Sequence, residues 1–97
     1  MPETFGIAAF RSRQQVLRFE QELKRNGIPA RVISTPRDVA VGCGLSVRFE
    51  AMDIERVLKV YDHLRPGNLI GFYIVERLEM GGRPRLTPVR VATHMPY

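Results

Sequence analysis

Apolar residues along the chain recur first at every second position, then at helical spacing, and the two periods alternate. Residues 4–10 are apolar or small on both alternating faces, Phe5, Ile7 and Ala9 on one and Gly6, Ala8 and Phe10 on the other. That predicts a strand in the middle of a sheet. Ser12 and Gln15 then stand at the spacing of a capping box, in which each side chain satisfies a backbone N–H of the first helical turn. Val16, Phe19 and Leu23 follow on one stripe, widened by Leu17, while Arg18, Gln21, Glu22 and Arg25 face water. Asn26-Gly27 supplies the stop, with Ile28 and Pro29 behind it, because glycine takes the left-handed cap conformation freely.

Residues 30–34 predict a second strand, and residues 35–44, with Pro36, Gly42 and Gly44, a loop. Residues 45–49 alternate cleanly, Leu45, Val47 and Phe49 inward, Ser46 and Arg48 outward. Asp53 is the expected N-cap of a second helix, whose buried stripe is Ile54, Val57, Leu58, Tyr61 and Leu64. Arg65-Pro66-Gly67-Asn68 ends it, and residues 69–78 form a fourth strand.

The order βαββαβ is the ferredoxin-like α+β pattern. Right-handed crossovers place both helices on one face of a four-stranded antiparallel sheet, with strands one and three central and two and four at the edges. Strand four is apolar on both faces, Phe72 and Ile74 against Tyr73 and Val75. The face without helices is therefore expected to expose an apolar patch, the usual mark of an interaction surface. Two covers suit it. One is the segment 81–97, with Leu86, Val89, Val91, Met95 and Tyr97; the other is a second copy of the chain, giving a homodimer. Pro84, Pro88 and Pro96 make that segment extended, strand-like over residues 88–93. The expected organisation is a ferredoxin-like domain over residues 1–79 and a C-terminal extension over 80–97.

Composition narrows the functional classes. With 97 residues, 44% hydrophobic and 26% charged, the chain is one globular domain. Thirteen of the fifteen basic residues are arginine, and they are spread from Arg11 to Arg90. The net charge of +5 thus lacks the patch or stripe that a nucleic-acid partner requires. RNA binding through the sheet would need exposed aromatics beside arginine on strands one and three, for which only Phe5 or Phe10 with Arg48 is available. The first ten residues show no basic region followed by a long apolar run, so no signal peptide is expected. The apolar stretch 69–75 is broken by Gly71 and too short to span a bilayer. A single cysteine suits the cytoplasm, where disulfide frameworks are rare.

That cysteine is the chain's main chemical feature. Cys43 stands between Gly42 and Gly44, an arrangement that removes bulk and lets peptide N–H groups gather around the sulfur. Arg37 and Arg48 are near in sequence and suited to lowering the thiol pKa. The bland alternative is a small buried residue filling a turn. Gly42-x-Gly44 lacks the third glycine and the following helix of a dinucleotide fingerprint. Cys43, His63 and His94 have no metal-ligand spacing, and His63 is better explained by its place late in a helix. Ser12 reads as a cap, Asp38 as a turn or ion-pair residue beside Arg37, and Glu20 as a solvated carboxylate. No catalytic set emerges, so a carrier or binding protein is favoured over a turnover enzyme, and no cofactor is implied.

The run Thr35-Pro36-Arg37, then Cys43-Gly44-Leu45, then Val47 and Phe49 resembles the bacterial selenium/sulfur carrier protein-like family. Phe10, Ser12, Leu17, Glu20, Leu23 and Gly27-Ile28 extend the likeness, which covers about residues 4–75. The resemblance implies a thiol carrier of persulfide sulfur or selenium, with the family cysteine at Cys43 and Thr35, Pro36 and Arg37 as its companion loop. It also implies donor and acceptor proteins as partners. Residues 81–97 lie outside it. The alternative is a non-catalytic module that dimerises or docks a partner through the open sheet face.

Overall fold

The computed structural model describes residues 3–39, 44–78 and 82–91. Its elements are β1 (Glu3–Phe10), α1 (Arg13–Arg25), β2 (Ala30–Ser34), β3 (Leu45–Glu50), a 3-10 turn (Ala51–Asp53), α2 (Ile54–Leu64), β4 (Leu69–Arg77) and β5 (Arg85–Val91). The sheet is antiparallel in the order β2-β3-β1-β4-β5. Two expectations change here. The sheet has five strands, not four, and β4 is not an edge, because β5 pairs along it from Gly71↔Val91 to Glu76↔Arg85. Pro88 lies within that strand, at the outer edge of the sheet, where a missing N–H costs no ladder bond. The register slips beside it, between Phe72 and Tyr73.

Both helices pack on one face. Val16, Phe19 and Leu23 of α1 and Val57 of α2 are buried with Ala8, Phe10, Val47, Phe49 and Phe72 of the strands. The Phe19 ring stands 5.5 Å from Phe10 and 6.1 Å from both Tyr61 and Phe72, centroid to centroid, in the tilted and edge-on arrangements that aromatic quadrupoles favour. Gly6 leaves room in this layer for the Phe49 ring; a Cβ on residue 6 would collide with its edge. Leu17 does not widen the stripe, for it is 43% exposed.

The helix ends follow local chemistry only in part. At the head of α1 the Ser12 hydroxyl accepts from Gln15 N–H, but the reciprocal half of the capping box is missing and Gln15 Oε1 is buried without a partner. At its tail Ile28 N–H donates to Leu23 O and Gly27 N–H to Lys24 O, with Gly27 at φ 74°, which is a Schellman motif. Asp53 does not cap α2 with its side chain. The 3-10 turn shifts it, and its carboxylate instead accepts from Arg56 three residues on.

The opposite face is not an open apolar patch, and of the two covers expected for it the segment 81–97 contributes Leu86. Phe5, Ile7 and Val75 are buried there, packed by Ile33, Val39, Tyr73 and Leu86. The cover comes from several elements: Ile33 from β2, Val39 from the loop after β2, Tyr73 from β4 and Leu86 from β5. Ser46, expected to face outward to water, is fully buried on this side. Phe5 and Phe10 are each 1% exposed, so neither offers a ring to a stacked base and the RNA arrangement fails.

Candidate functional site

Antiparallel pairing of β1 with β3 sets Ala9 opposite Ser46. The end of β1, the head of α1 and both ends of the loop 35–44 therefore meet at one end of the sheet. On the helix-free face this end is a row of small buried residues, Gly71, Ala9 and Ser46, in register across β4, β1 and β3. The loop is fastened beside this row. Thr35 N–H donates to Gly44 O at 3.1 Å, and the Thr35 and Ser46 hydroxyls share a hydrogen bond of 2.6 Å. Val39 N–H donates to Pro36 O at 2.9 Å, closing a turn whose corner carries Arg37 and Asp38, both exposed. Val39 then packs under the turn against the second apolar cluster.

Of the residues expected at the site, Thr35 and Gly44 are joined directly, and Pro36 and Arg37 stand on the same loop. Gly42 and Cys43 lie outside the described residues; Gly44, which follows Cys43 in the chain, is described. Arg37 and Asp38 form no ion pair with each other among the described residues. Arg48 stands apart from Gly44 along the strand. It lies four residues beyond Gly44 in β3, about 13 Å along an extended strand, and turns toward the far end of β1. There Arg48 Nη2 donates to Glu3 Oε2 at 2.7 Å and its guanidinium lies 3.8 Å from the centre of the Phe5 ring. The hydrogen bond from Arg48 holds the Glu3 carboxyl below its ordinary pKa, with smaller help from the charges of Arg48, Arg77 and Arg31.

Two other arginines do approach the loop. Phe10, Arg11, Arg13, Gly44 and Leu45 line a cleft of about 380 Å³. Arg11 follows β1 directly, its backbone N–H tied to Asn68 O at 2.7 Å, and Arg13 opens α1. The first turn of α1 holds no acidic residue, although the positive end of the helix dipole favours one there. Helix end and guanidinium groups thus add up to a positive potential beside the residue after Cys43. Arg11 and Arg13 escaped the reading of the sequence because only the pairing of β1 with β3 brings them to Gly44. The available signal was a basic residue where a helix start prefers an acid.

A second cleft of about 290 Å³, at the Glu50 end of β3, is lined by Pro29, Ala30, Arg31, Arg48, Phe49 and Glu50, a set without a nucleophile. Among the described residues no cluster of His, Cys, Asp and Glu is able to hold a metal ion, and no helix is long and apolar enough to cross a membrane.

No curated protein and no solved structure matches the chain. Residues 5–64 match the family described as "Putative Se/S carrier protein-like". The matched span runs from β1 through α2 and takes in the arginine-lined cleft, the Thr35–Gly44 closure and the whole loop between them. Covering well over half of the chain, that match assigns it: the protein belongs to the Se/S carrier protein-like family.

Proposed function

We propose that this protein carries sulfur or selenium as an adduct of the Cys43 thiol, taking the atom from a donor protein and passing it to an acceptor. The observation that carries the proposal is the cleft of Arg11 and Arg13 against Gly44, inside the span that matches the family. A cysteine thiolate stabilised by a cationic environment is nucleophilic near neutral pH. It attacks the outer sulfur of a donor persulfide. The donor S–S bond breaks, its inner sulfur leaves as thiolate, and a new S–S bond forms on Cys43. The exchange needs no outside oxidant or reductant, and an acceptor thiolate repeats it in the second half of the cycle. Thr35, Pro36 and Arg37 shape the loop that presents the thiol, with exposed Arg37 placed to meet an anionic partner surface.

The same reading takes residues 1–79 as a ferredoxin-like unit, β2-β3-β1-β4 with its helices on one side, and 80–97 as an extension that packs on the sheet or on a partner, of which β5 adds a fifth strand beside β4. A free thiol of this kind suits a reducing compartment such as the cytoplasm. Docking through an open apolar face loses its main support, since Phe5, Ile7 and Val75 are buried. The test is loading. Incubated with a cysteine desulfurase and cysteine, the protein gains the mass of one sulfur, removed by reductant and absent from Cys43→Ser. No adduct, with a thiol that alkylates no faster than free cysteine, overturns the proposal.

A further inference from the structure

The two edges of the sheet are protected unequally. β5 carries Pro88, which donates no N–H; its register against β4 slips between Phe72 and Tyr73, and Arg85 is exposed along it. Proline, irregular pairing and charge keep a free edge from pairing with another chain. β2 has neither proline nor irregularity. Ala30–Ser34 pairs with β3 in unbroken register, from Ala30↔Phe49 to Ser34↔Leu45. Among the described residues its backbone makes no hydrogen bond outside that ladder, so every second residue turns its N–H and C=O outward.

The charge beside that edge is of one sign. Arg31 and Arg48 are cross-strand partners and line the cleft of about 290 Å³ with Pro29, Ala30, Phe49 and Glu50. Like charges directly opposite each other destabilise a sheet. Glu3 engages Arg48, while the exposed Arg31 forms no ion pair among the described residues. Glu50 lies past the register partner of Ala30, beyond the end of β2. An antiparallel second copy of the chain would bring another Arg31 and Arg48 to the same face. Charge therefore disfavours self-pairing at this edge and favours a carboxylate.

We infer that β2 is a docking edge for an acidic extended segment of a partner protein, which adds as a further strand and sets its carboxylates beside Arg31. Main-chain hydrogen bonds supply affinity, and Arg31 supplies the choice of partner. The inference does not rest on the carrier reading. The experiment titrates labelled synthetic peptides against the full chain by fluorescence anisotropy. One alternates valine with glutamate, and a second has lysine for glutamate. Two more are the glutamate peptide N-methylated at every valine or at every glutamate. The glutamate peptide should bind at least about fivefold more tightly than the lysine peptide, and Arg31→Glu should reverse that order. Of the N-methylated pair, one should lose binding and the other keep it, because only one set of N–H groups faces β2. Should Arg31→Glu fail to fold, Arg31→Gln must narrow the preference to within about twofold. Equal binding of the glutamate and lysine peptides, a preference untouched by the Arg31 variants, or equal binding of the two N-methylated peptides overturns the inference. A chain that sediments as a dimer with the β2 amides protected from exchange gives the edge to a second copy and overturns it as well. Each of these results leaves sulfur loading untouched.

Discussion

The two faces of the sheet are built differently. On the helix side Phe10, Phe19, Phe49 and Phe72 interlock beneath amphipathic helices, a core formed by large side chains at helical and alternating periods. On the other side the small cluster of Phe5, Ile7 and Val75 is packed by single residues from β2, β4, β5 and the loop 35–44. Guanidinium groups of Arg48 and Arg77 lie over the Phe5 ring at 3.8 and 5.4 Å. The first face holds the domain together; the second fastens the loop that contains Cys43. Stability and thiol chemistry should therefore respond separately to substitutions on the two sides.

Phe19→Ala should have the largest effect on stability. It removes the ring at the centre of the aromatic contacts, and about 3–5 kcal/mol is expected from a large-to-small change in a packed core, read by urea unfolding. Cys43 alkylation in the fraction that remains folded should keep its native pH profile. Phe5→Ala should cost less, about 3 kcal/mol, at the low end of that range because flexible arginine side chains can collapse into the space. Unlike Phe19→Ala, it should shift Cys43 reactivity, since Val39 of the loop packs on this cluster. If both variants left the profile alone, the division of labour would be wrong.

Much of the first face was legible in the sequence. Val16, Phe19 and Leu23, and the alternation Leu45, Val47, Phe49, are local periods, and so are the stops at Gly27 and Pro66. The second face depends on contacts far apart in the chain. β5 was expected only as a strand-like stretch over 88–93; Pro84 and Pro88 hid its start at Arg85, and its pairing comes only from β4. Arg48 looked close to Cys43 in sequence, yet its partner Glu3 is 45 positions away. Arg11 and Arg13 reach Gly44 only through strand pairing. Thr35 was reached through the family resemblance and Gly44 through its place beside Cys43; that they close the loop is visible only in the structure.

Smaller effects sharpen the same contrast. Gly6→Ala should destabilise by about 1–3 kcal/mol through overpacking, because the new methyl meets the buried Phe49 ring on the helix face. Its urea midpoint should fall while sulfur loading of the folded protein stays native. The smallest effect belongs to Glu3. Arg48 lowers its folded pKa, so the pair stabilises the fold above the carboxyl's unfolded pKa, and that contribution is lost as pH falls through the depressed folded value. Urea midpoints compared at neutral and strongly acidic pH should show Glu3→Gln with a slightly shallower acid loss than the native chain. An unchanged acid limb would mean that the pair adds nothing to stability.

A carrier must surrender its cargo as well as accept it, and cyanolysis of the loaded protein measures that most directly. After loading and removal of the donor, cyanide should release one thiocyanate per chain, return Cys43 to its free thiol, and release none from Cys43→Ser treated in the same way. Thiocyanate from Cys43→Ser at the native yield, or none from the native chain, would contradict the assignment of Cys43 as the carrier.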